Sequence, residues 1–120
     1  MSVQLPHREY PRFEVEIWVD FSTLDMEMST HVLNVSRGGV FMKSDRPLPM
    51  DQEVELVLRL PDGSAVHATG RVVWNHDLAD PQSRRPRGSG IQFLDIPAAD
   101  RALLDDYLAS LAAPDGHPGH

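Results

Sequence analysis

Cysteine is absent from the 120 residues, so the chain can form neither a disulfide nor a thiolate metal site, and it has no cysteine nucleophile. Long apolar runs are absent as well. No stretch approaches the roughly 18 residues of a membrane-spanning helix, and residues 1–6 lack the apolar core of a signal peptide. We therefore expect a cytoplasmic protein that does not insert into a membrane.

Positive charge is scarce: 11 Lys and Arg residues stand against 18 Asp and Glu residues, for a net charge of −7. Nucleic acids are attracted by basic surfaces, so a nucleic-acid partner is not expected. A small anionic ligand could still bind in a local basic pocket. The length and a hydrophobic content of 41 % fit a single domain with one core.

Motifs for catalysis and for metal binding are also missing. The sequence has no nucleophile elbow, no phosphate-binding loop and no dinucleotide fingerprint. The histidines show no metal-ligand spacing. They stand at positions 7, 31, 67, 76, 117 and 120. The acidic pair Asp105-Asp106 is interpreted as the solvated face of a helix. We expect no metal, no cofactor and no enzymatic activity.

Strand-like alternation dominates what is present. Apolar and polar side chains alternate without a break over residues 13–21, which predicts a half-buried strand. Trp18 lies on the polar side of this strand and is expected to pack under a flanking helix, with a ligand or partner surface as the alternative. Turn-bounded runs predict five more strands. These cover residues 26–35, 39–43, 53–60, 65–75 and 90–94.

The fifth predicted strand and the segment after it have two further features. Gly70 in the strand indicates a bend or bulge, which a small barrel needs. Residues 76–89 are polar and are predicted to form a long exposed loop. Its basic cluster, Arg84 to Arg87, is either a solvated loop tip or a contact for an anionic ligand or an acidic partner.

The C-terminal part of the sequence predicts a helix. Pro97 suits a first helical turn, Asp100 favours a helix N-terminus, and five apolar residues follow at helical spacing. The helix should end near Ala113, and residues 114–120 should be a disordered tail. Together the elements indicate a mainly β fold, a six-stranded antiparallel β-barrel with a C-terminal α-helix.

A polar turn over residues 34–39, Asn-Val-Ser-Arg-Gly-Gly, separates the second and third predicted strands. Asn34 and Ser36 would lie on one face and could both donate and accept hydrogen bonds, beside backbone that glycine leaves accessible. Such a cluster suits a phosphate or a nucleobase edge. The alternative is a hairpin in which Asn34 and Ser36 bond their own backbone.

Arg8-x-x-x-Arg12 upstream and Asn34-x-Ser36-x-x-Gly39 at the turn occur together, in this order, with one alternating strand between them. With these motifs the sequence resembles the PilZ domain, a bacterial family that binds cyclic di-GMP. The resemblance covers roughly residues 7–111, including the run Gly-Gly-Val-Phe after the turn, the strand Gly-Ile-Gln-Phe and the closing helix. It implies a flexible arm over residues 1–6 and a domain over residues 7–113.

The resemblance implies a site for cyclic di-GMP, which would be bound without turnover. Arg8 and Arg12 would clasp guanine and phosphate, because the planar guanidinium matches the O6/N7 edge of guanine. Asn34 and Ser36 would hydrogen-bond the second face of the ligand, and Gly39 would leave room for it.

Three more residues are candidates for additional contacts: His7, Arg37 and Gly38. His7 stands where many members of the family have an arginine, and Asn34 stands where Asp is common. On binding, the arm should order against the turn and signal to a protein partner that the sequence does not identify. The alternative is an adaptor that binds proteins without any nucleotide.

Overall fold

The computed structural model describes residues 11–45, 48–76 and 87–112. Within these ranges, six strands are followed by one helix. In chain order the elements are β1 (Phe13–Ser22), β2 (Glu27–Val35), β3 (Gly39–Lys43), β4 (Glu53–Arg59), β5 (Ala65–His76), β6 (Gly88–Asp95) and α1 (Ala98–Ala112).

The six strands close into a barrel in the order β1-β2-β3-β6-β5-β4, and every neighbouring pair is antiparallel. The predicted six-stranded antiparallel β-barrel with a C-terminal helix is therefore confirmed. The alternation of apolar and polar residues explains this fold, because successive side chains of a strand point to opposite faces of the sheet. The apolar side chains fill the barrel interior, and the polar ones between them face outward.

The interior is filled by these alternate side chains. In β1, Ile17, Val19 and Phe21 are buried, whereas Glu14 and Glu16 are exposed. The helix contributes Leu104 and Leu108, which belong to the same core cluster as the strand residues. Full burial of one such side chain stabilises the fold by about 1.5–3 kcal/mol, so these two leucines help to hold the helix on the barrel. Within the described ranges, the helix is not long and apolar enough to cross a lipid bilayer.

Gly70 lies at an irregularity, as predicted. The register between β5 and β6 shifts between Thr69 and Gly70. A Cβ atom at Gly70 would stand 2.5 Å from Cγ2 of Ile91 and 2.9 Å from the backbone oxygen of Gln92. The two strands approach each other too closely there for any side chain larger than hydrogen.

The predicted loop over residues 76–89 is wrong at both ends. The β5–β6 ladder continues through the pairs Asn75–Ser89 and His76–Gly88, so His76 and Gly88 belong to strands. The polar composition of this stretch hid the ladder, because backbone pairing does not require apolar side chains. Residues 77–86, including Arg84 and Arg85, lie outside the described residues.

Trp18 does not pack under a helix, contrary to expectation. Its side chain is 51 % exposed on the outer side of β1 and packs against the ring of His31, with 4.1 Å between the ring centroids. Three predictions concern residues outside the described ranges and stay predictions: the arm over residues 1–6, the tail over residues 114–120, and the domain limits at residues 7 and 113.

Candidate functional site

The turn between β2 and β3 is closed by Ser36. The Ser36 backbone N–H donates to the carbonyl oxygen of Gly39 at 2.9 Å, and the Ser36 hydroxyl oxygen accepts the backbone N–H of Gly38 at 3.1 Å. The Ser36 residue is fully buried. Its side chain therefore satisfies the backbone of its own turn, as in the alternative that the sequence left open.

Gly39 lies where β3 and β6 meet. A Cβ atom at this position would overlap with the backbone carbonyl oxygen of Ile91. The carbonyl oxygen of Gly38 also accepts the backbone N–H of Phe93 at 2.9 Å. The two glycines thus fasten the turn to β6, and the absence of a side chain at Gly39 is required by strand packing alone.

Arg12 and Asn34 are in direct contact. The Arg12 Nε and Nη2 atoms donate to the side-chain oxygen of Asn34, at 3.0 Å and 2.7 Å. The two residues are 22 positions apart, and the pairing of β1 with β2, with Glu14 opposite Asn34, brings them together. One arginine of the upstream motif therefore lies against the first residue of the turn motif.

The contact between Arg12 and Asn34 is only partly buried. Partial burial lowers the pKa of the Arg12 guanidinium through desolvation, but an arginine remains charged at neutral pH. The side-chain amide nitrogen of Asn34 has no hydrogen-bond partner among the described residues. A cation and an amide donor thus stand side by side at the barrel surface.

Arg37 connects the turn to the helix. Its Nε and Nη2 atoms donate to the two carboxylate oxygens of Asp105 at 3.0 Å and 3.2 Å, and Arg101 Nη1 donates to the backbone oxygen of Arg37 at 2.9 Å. Asp105 is exposed, as the sequence analysis expected, but it is also paired with Arg37, which the sequence analysis did not predict. The partners are 68 positions apart, so no local pattern could have predicted the pair.

Two aromatic residues that the sequence analysis did not single out continue the site across the sheet. Asn34 is paired with Phe41, Phe41 with Gly90, and Gly90 with Trp74, so the four residues form one row over β2, β3, β6 and β5. The rings of Phe41 and Trp74 stack with centroids 5.2 Å apart and an interplanar angle of 19°. We call these two rings the aromatic platform.

Gly90 is what permits the aromatic platform. A Cβ atom there would overlap with the indole of Trp74, so the ring lies directly on the backbone of β6. Trp74 is partly exposed, and neither ring belongs to the core cluster. The sequence feature that could have predicted the aromatic platform is the pair Gly88 and Gly90. Two glycines on the same face of a strand indicate that a bulky neighbour lies close to the backbone.

Arg71 belongs to the next row of the same surface. Gly39 is opposite Gln92, and Gln92 is opposite Arg71. Partly exposed Arg71 therefore lies in the row next to the one that carries the aromatic platform. Arginine, amide and indole groups together suit an anionic ligand with aromatic rings.

The structure thus places five of the predicted site residues on one end of the barrel. Asn34, Ser36, Arg37, Gly38 and Gly39 form the turn and its flank.

Arg12 contacts this turn, whereas His7 and Arg8 lie outside the described residues. Within the part of the chain that the structure describes, no group of three His, Cys, Asp or Glu residues could hold a metal ion.

Comparison with known proteins gives a match to one family model, described as PilZ domain, over residues 6–110. No curated protein matches the chain. Among solved structures, the chain is similar to the inhibitor of motility MotI/DgrA of Bacillus subtilis, with a TM-score of 0.70 and 22 % identity over 89 % of this chain and 51 % of that one.

Two structures that contain c-di-GMP are also similar. The MrkH–c-di-GMP complex of K. pneumonia gives a TM-score of 0.72 at 19 % identity, over 91 % of this chain and 52 % of MrkH. The c-di-GMP-bound PilZ domain of YcgR from Escherichia coli gives 0.63 at 14 % identity, over 85 % of this chain and 89 % of that domain. The chain spans about half the length of MotI/DgrA and of MrkH.

Proposed function

The chain belongs to the PilZ domain family, and on this premise we propose that it is a cytoplasmic receptor that binds cyclic di-GMP without turnover and signals to a protein partner. The observation that carries the proposal is the contact between Arg12 and Asn34, which joins the two motifs at one surface. The likeness to two c-di-GMP-bound structures supports the choice of ligand.

The proposed ligand lies over the row from Asn34 to Trp74. Arg12 and Arg8 bind phosphate and the O6/N7 edge of guanine with their planar guanidinium groups. Asn34 exchanges the guanidinium of Arg12 for a polar atom of the ligand or donates to it through its free amide nitrogen. Ser36 and Gly39 act through the shape of the turn, since the Ser36 side chain is already used within it.

The aromatic platform adds a stacking surface to this proposal. A guanine base that stacks on Trp74 would gain about 1–3 kcal/mol, as bases on aromatic side chains do. His7, Arg37 and Gly38 remain additional contacts in the proposal. To contact the ligand, Arg37 would have to release the carboxylate of Asp105 and bind a ligand phosphate instead. Both partners are anions that accept charge-assisted hydrogen bonds from a guanidinium group.

Titration calorimetry with purified protein tests the proposal. We expect saturable binding of cyclic di-GMP and an affinity reduced about 10- to 150-fold in Arg12→Ala and in Arg8→Ala, because each removes charge-assisted hydrogen bonds worth about 1.5–3 kcal/mol. Arg59→Ala is the matched control, since Arg59 lies on β4 and bonds Asp20 instead of the turn.

The titrations test separately whether the protein binds cyclic di-GMP and whether the assigned residues bind it. Absence of heat at a cyclic di-GMP concentration of about 100 μM would refute the receptor. Full affinity in both Arg8→Ala and Arg12→Ala would keep the receptor and reject the site.

A nucleotide-independent adaptor is the second candidate, and the exposed indole of Trp18 favours it. Exposed tryptophans are enriched among residues that dominate protein–protein binding energy. Affinity capture with and without cyclic di-GMP distinguishes the two functions. A partner captured equally in both conditions favours the adaptor, and a partner captured only with the nucleotide favours the receptor.

A further inference from the structure

A β-bulge in β5 turns Arg71 and Trp74 to the same face of the sheet. In a regular strand, side chains three residues apart point to opposite faces. In β5, however, the register against β6 shifts between Val72 and Trp74, so that Arg71 is opposite Gln92 while Trp74 is opposite Gly90. Gln92 and Gly90 are two residues apart on β6 and therefore share one face. Arg71 thus lies on the outer face that carries the aromatic platform.

The row of Arg71 directly adjoins the row of Trp74. Two residues of a strand separate Gly90 from Gln92, which places the two rows roughly 7 Å apart. Long and aromatic side chains in adjacent rows can touch across such a separation. Bulges are common beside active sites, where they re-aim a side chain, and this one brings a guanidinium next to an indole.

The guanidinium of Arg71 has no acceptor in the part of the chain that the structure describes. Arg71 is partly buried, yet its side chain forms no hydrogen bond and no ion pair with a described residue. The next residue in its row toward the turn, Gln92, is neutral. On the other side, Glu53 is exposed and forms no ion pair with Arg71. By contrast, Arg12 and Arg37 each donate to a side-chain oxygen.

An arginine in this state is prepared to bind a ligand. Its guanidinium has five N–H donors in a planar fork, and a partly desolvated donor gains most from an acceptor that water does not supply. The next residue but one along the row of Arg71 is Gly39, which has no side chain to obstruct the approach from the turn. The acceptor that fits must therefore come from the ligand.

The part of the ligand within reach of Arg71 is the group that the aromatic platform holds. Arg71 and Trp74 lie on β5, whereas Asn34 lies on β2, three strand spacings or roughly 14 Å away along the sheet. In the proposed function, a guanine base stacks on Trp74. Guanine presents two acceptors, O6 and N7, on one edge, and a guanidinium can donate to both at once.

We propose that Arg71 is a further ligand-binding residue, which donates to O6 and N7 of the guanine that stacks on Trp74. The inference rests on the proposed receptor function and deepens it. Cyclic di-GMP has two guanine bases, so a base read by Arg71 leaves the second guanine and the phosphates to Arg8 and Arg12. Each end of the nucleotide is then recognised by a different arginine.

Titration calorimetry of Arg71→Met with cyclic di-GMP tests the inference. Methionine keeps a long, unbranched side chain and removes the charge and all donors. We expect binding to weaken about 5- to 150-fold, the range of discrimination that one bidentate contact to a base provides. Arg59→Met is the matched control, because it removes the same group from the neighbouring strand β4, and it should bind within about 2-fold of the wild type.

A second ligand distinguishes a contact with the base from a contact with a phosphate. The analogue of cyclic di-GMP with 7-deazaguanine in both bases lacks the N7 acceptors and keeps O6 and the phosphates. The wild type should bind this analogue less tightly than cyclic di-GMP. The ratio of the two affinities should shrink at least about 3-fold in Arg71→Met, because one N7 contact is already absent there.

Three results would overturn the inference and leave the receptor function intact. The first is full affinity for cyclic di-GMP in Arg71→Met. The second is an equal loss in Arg71→Met and Arg59→Met, which would show general charge attraction. The third is an affinity ratio of the two ligands that is the same in Arg71→Met and the wild type, which would place Arg71 at a phosphate. Absence of cyclic di-GMP binding by the wild type would instead refute the receptor, and the inference with it.

Discussion

At the scale of single residues, glycines in the paired strands β3 and β6 determine how closely neighbouring groups approach the backbone. Gly39 and Gly90 both lack space for a side chain, but the obstacles differ. At Gly39 the obstacle is the backbone oxygen of Ile91, whereas at Gly90 it is the side chain of Trp74. Backbone in a closed barrel cannot move without its neighbours, while an indole at the surface can rotate away.

Gly39→Ala should therefore destabilise the fold more than Gly90→Ala. We expect Gly39→Ala to lower the free energy of unfolding by about 1–3 kcal/mol, as overpacking against fixed backbone does, and Gly90→Ala to cost less because Trp74 can move. Urea unfolding of both variants measures the difference. If Gly90→Ala lowers the free energy of unfolding as much as Gly39→Ala or more, the aromatic platform is rigid and Trp74 does not move aside.

At the scale of elements, α1 is attached to the barrel by polar contacts at two places. Its first turn is held by Asp100, whose carboxylate accepts the backbone N–H of His67 at 2.6 Å and lies 3.0 Å from the His67 ring nitrogen. Its middle is held by Asp105 through Arg37. Acids near a helix N-terminus are favourable in themselves, and here the acid also binds β5.

Asp100 makes the stability of the helix contact depend on pH. Hydrogen bonds from the backbone and the ring of His67 lower the pKa of Asp100 below its usual value. A lowered pKa in the folded state contributes stability above the unfolded pKa of about 3.9, and this contribution is lost as pH falls through the folded pKa. The wild type should therefore exceed Asp100→Asn in stability at pH 7, with the difference shrinking toward pH 3.

Chemical unfolding of the wild type and of Asp100→Asn at pH 7 and at pH 3 measures this difference in stability. The control is Asp106→Asn, at an exposed residue of the same helix. Its free energy of unfolding should equal that of the wild type from pH 7 to pH 3. A gap between wild type and Asp100→Asn that stays constant from pH 7 to pH 3 would contradict the role of the carboxylate charge.

The elements were the part of the structure that the sequence predicted best. Alternation in residues 13–21 is a direct consequence of a sheet with one buried face, and spacing of Leu104 and Leu108 is a direct consequence of a buried helix stripe. The ladder at His76 and Gly88 was missed, because polar strand ends leave no periodic signal.

For the candidate site, the sequence predicted a set of residues but not how they are arranged. The contact of Arg12 with Asn34 agrees with the two motifs acting together. The burial of Ser36 and the pairing of Arg37 with Asp105 depend on tertiary packing and on a sequence separation that no local pattern encodes. The aromatic platform depends on strand order, which places β6 between β3 and β5.

At the scale of the whole molecule, the proposed mechanism involves the segment before Arg12. Residues 1–10 are polar and contain Pro6, so the sequence predicts an arm that does not order itself by burial. If Arg8 contacts the nucleotide, the ligand must hold this arm against the turn. The ordering would cost part of the binding energy, and it would create a new surface for a partner.

Hydrogen exchange of the amides before Arg12 tests the mechanism. We expect fast exchange without nucleotide and protection with saturating cyclic di-GMP, because ordered amides exchange slowly. Amides in the centre of β4, which is remote from the turn in the barrel order, serve as the internal control and should not change. Unchanged exchange before Arg12 while calorimetry shows the ligand bound would mean that the arm is not the switch.

The closure of the barrel limits how this protein can recruit others. A sheet with a free edge can accept an extended segment as an additional strand, which is a common form of peptide recognition and also a route to aggregation. In the part of the chain that the structure describes, β1 is paired with both β2 and β4, and each of the six strands has two neighbours. The six strands can therefore offer a partner only their outward-facing side chains, and such surface residues can change without disturbing the backbone hydrogen bonds of the barrel.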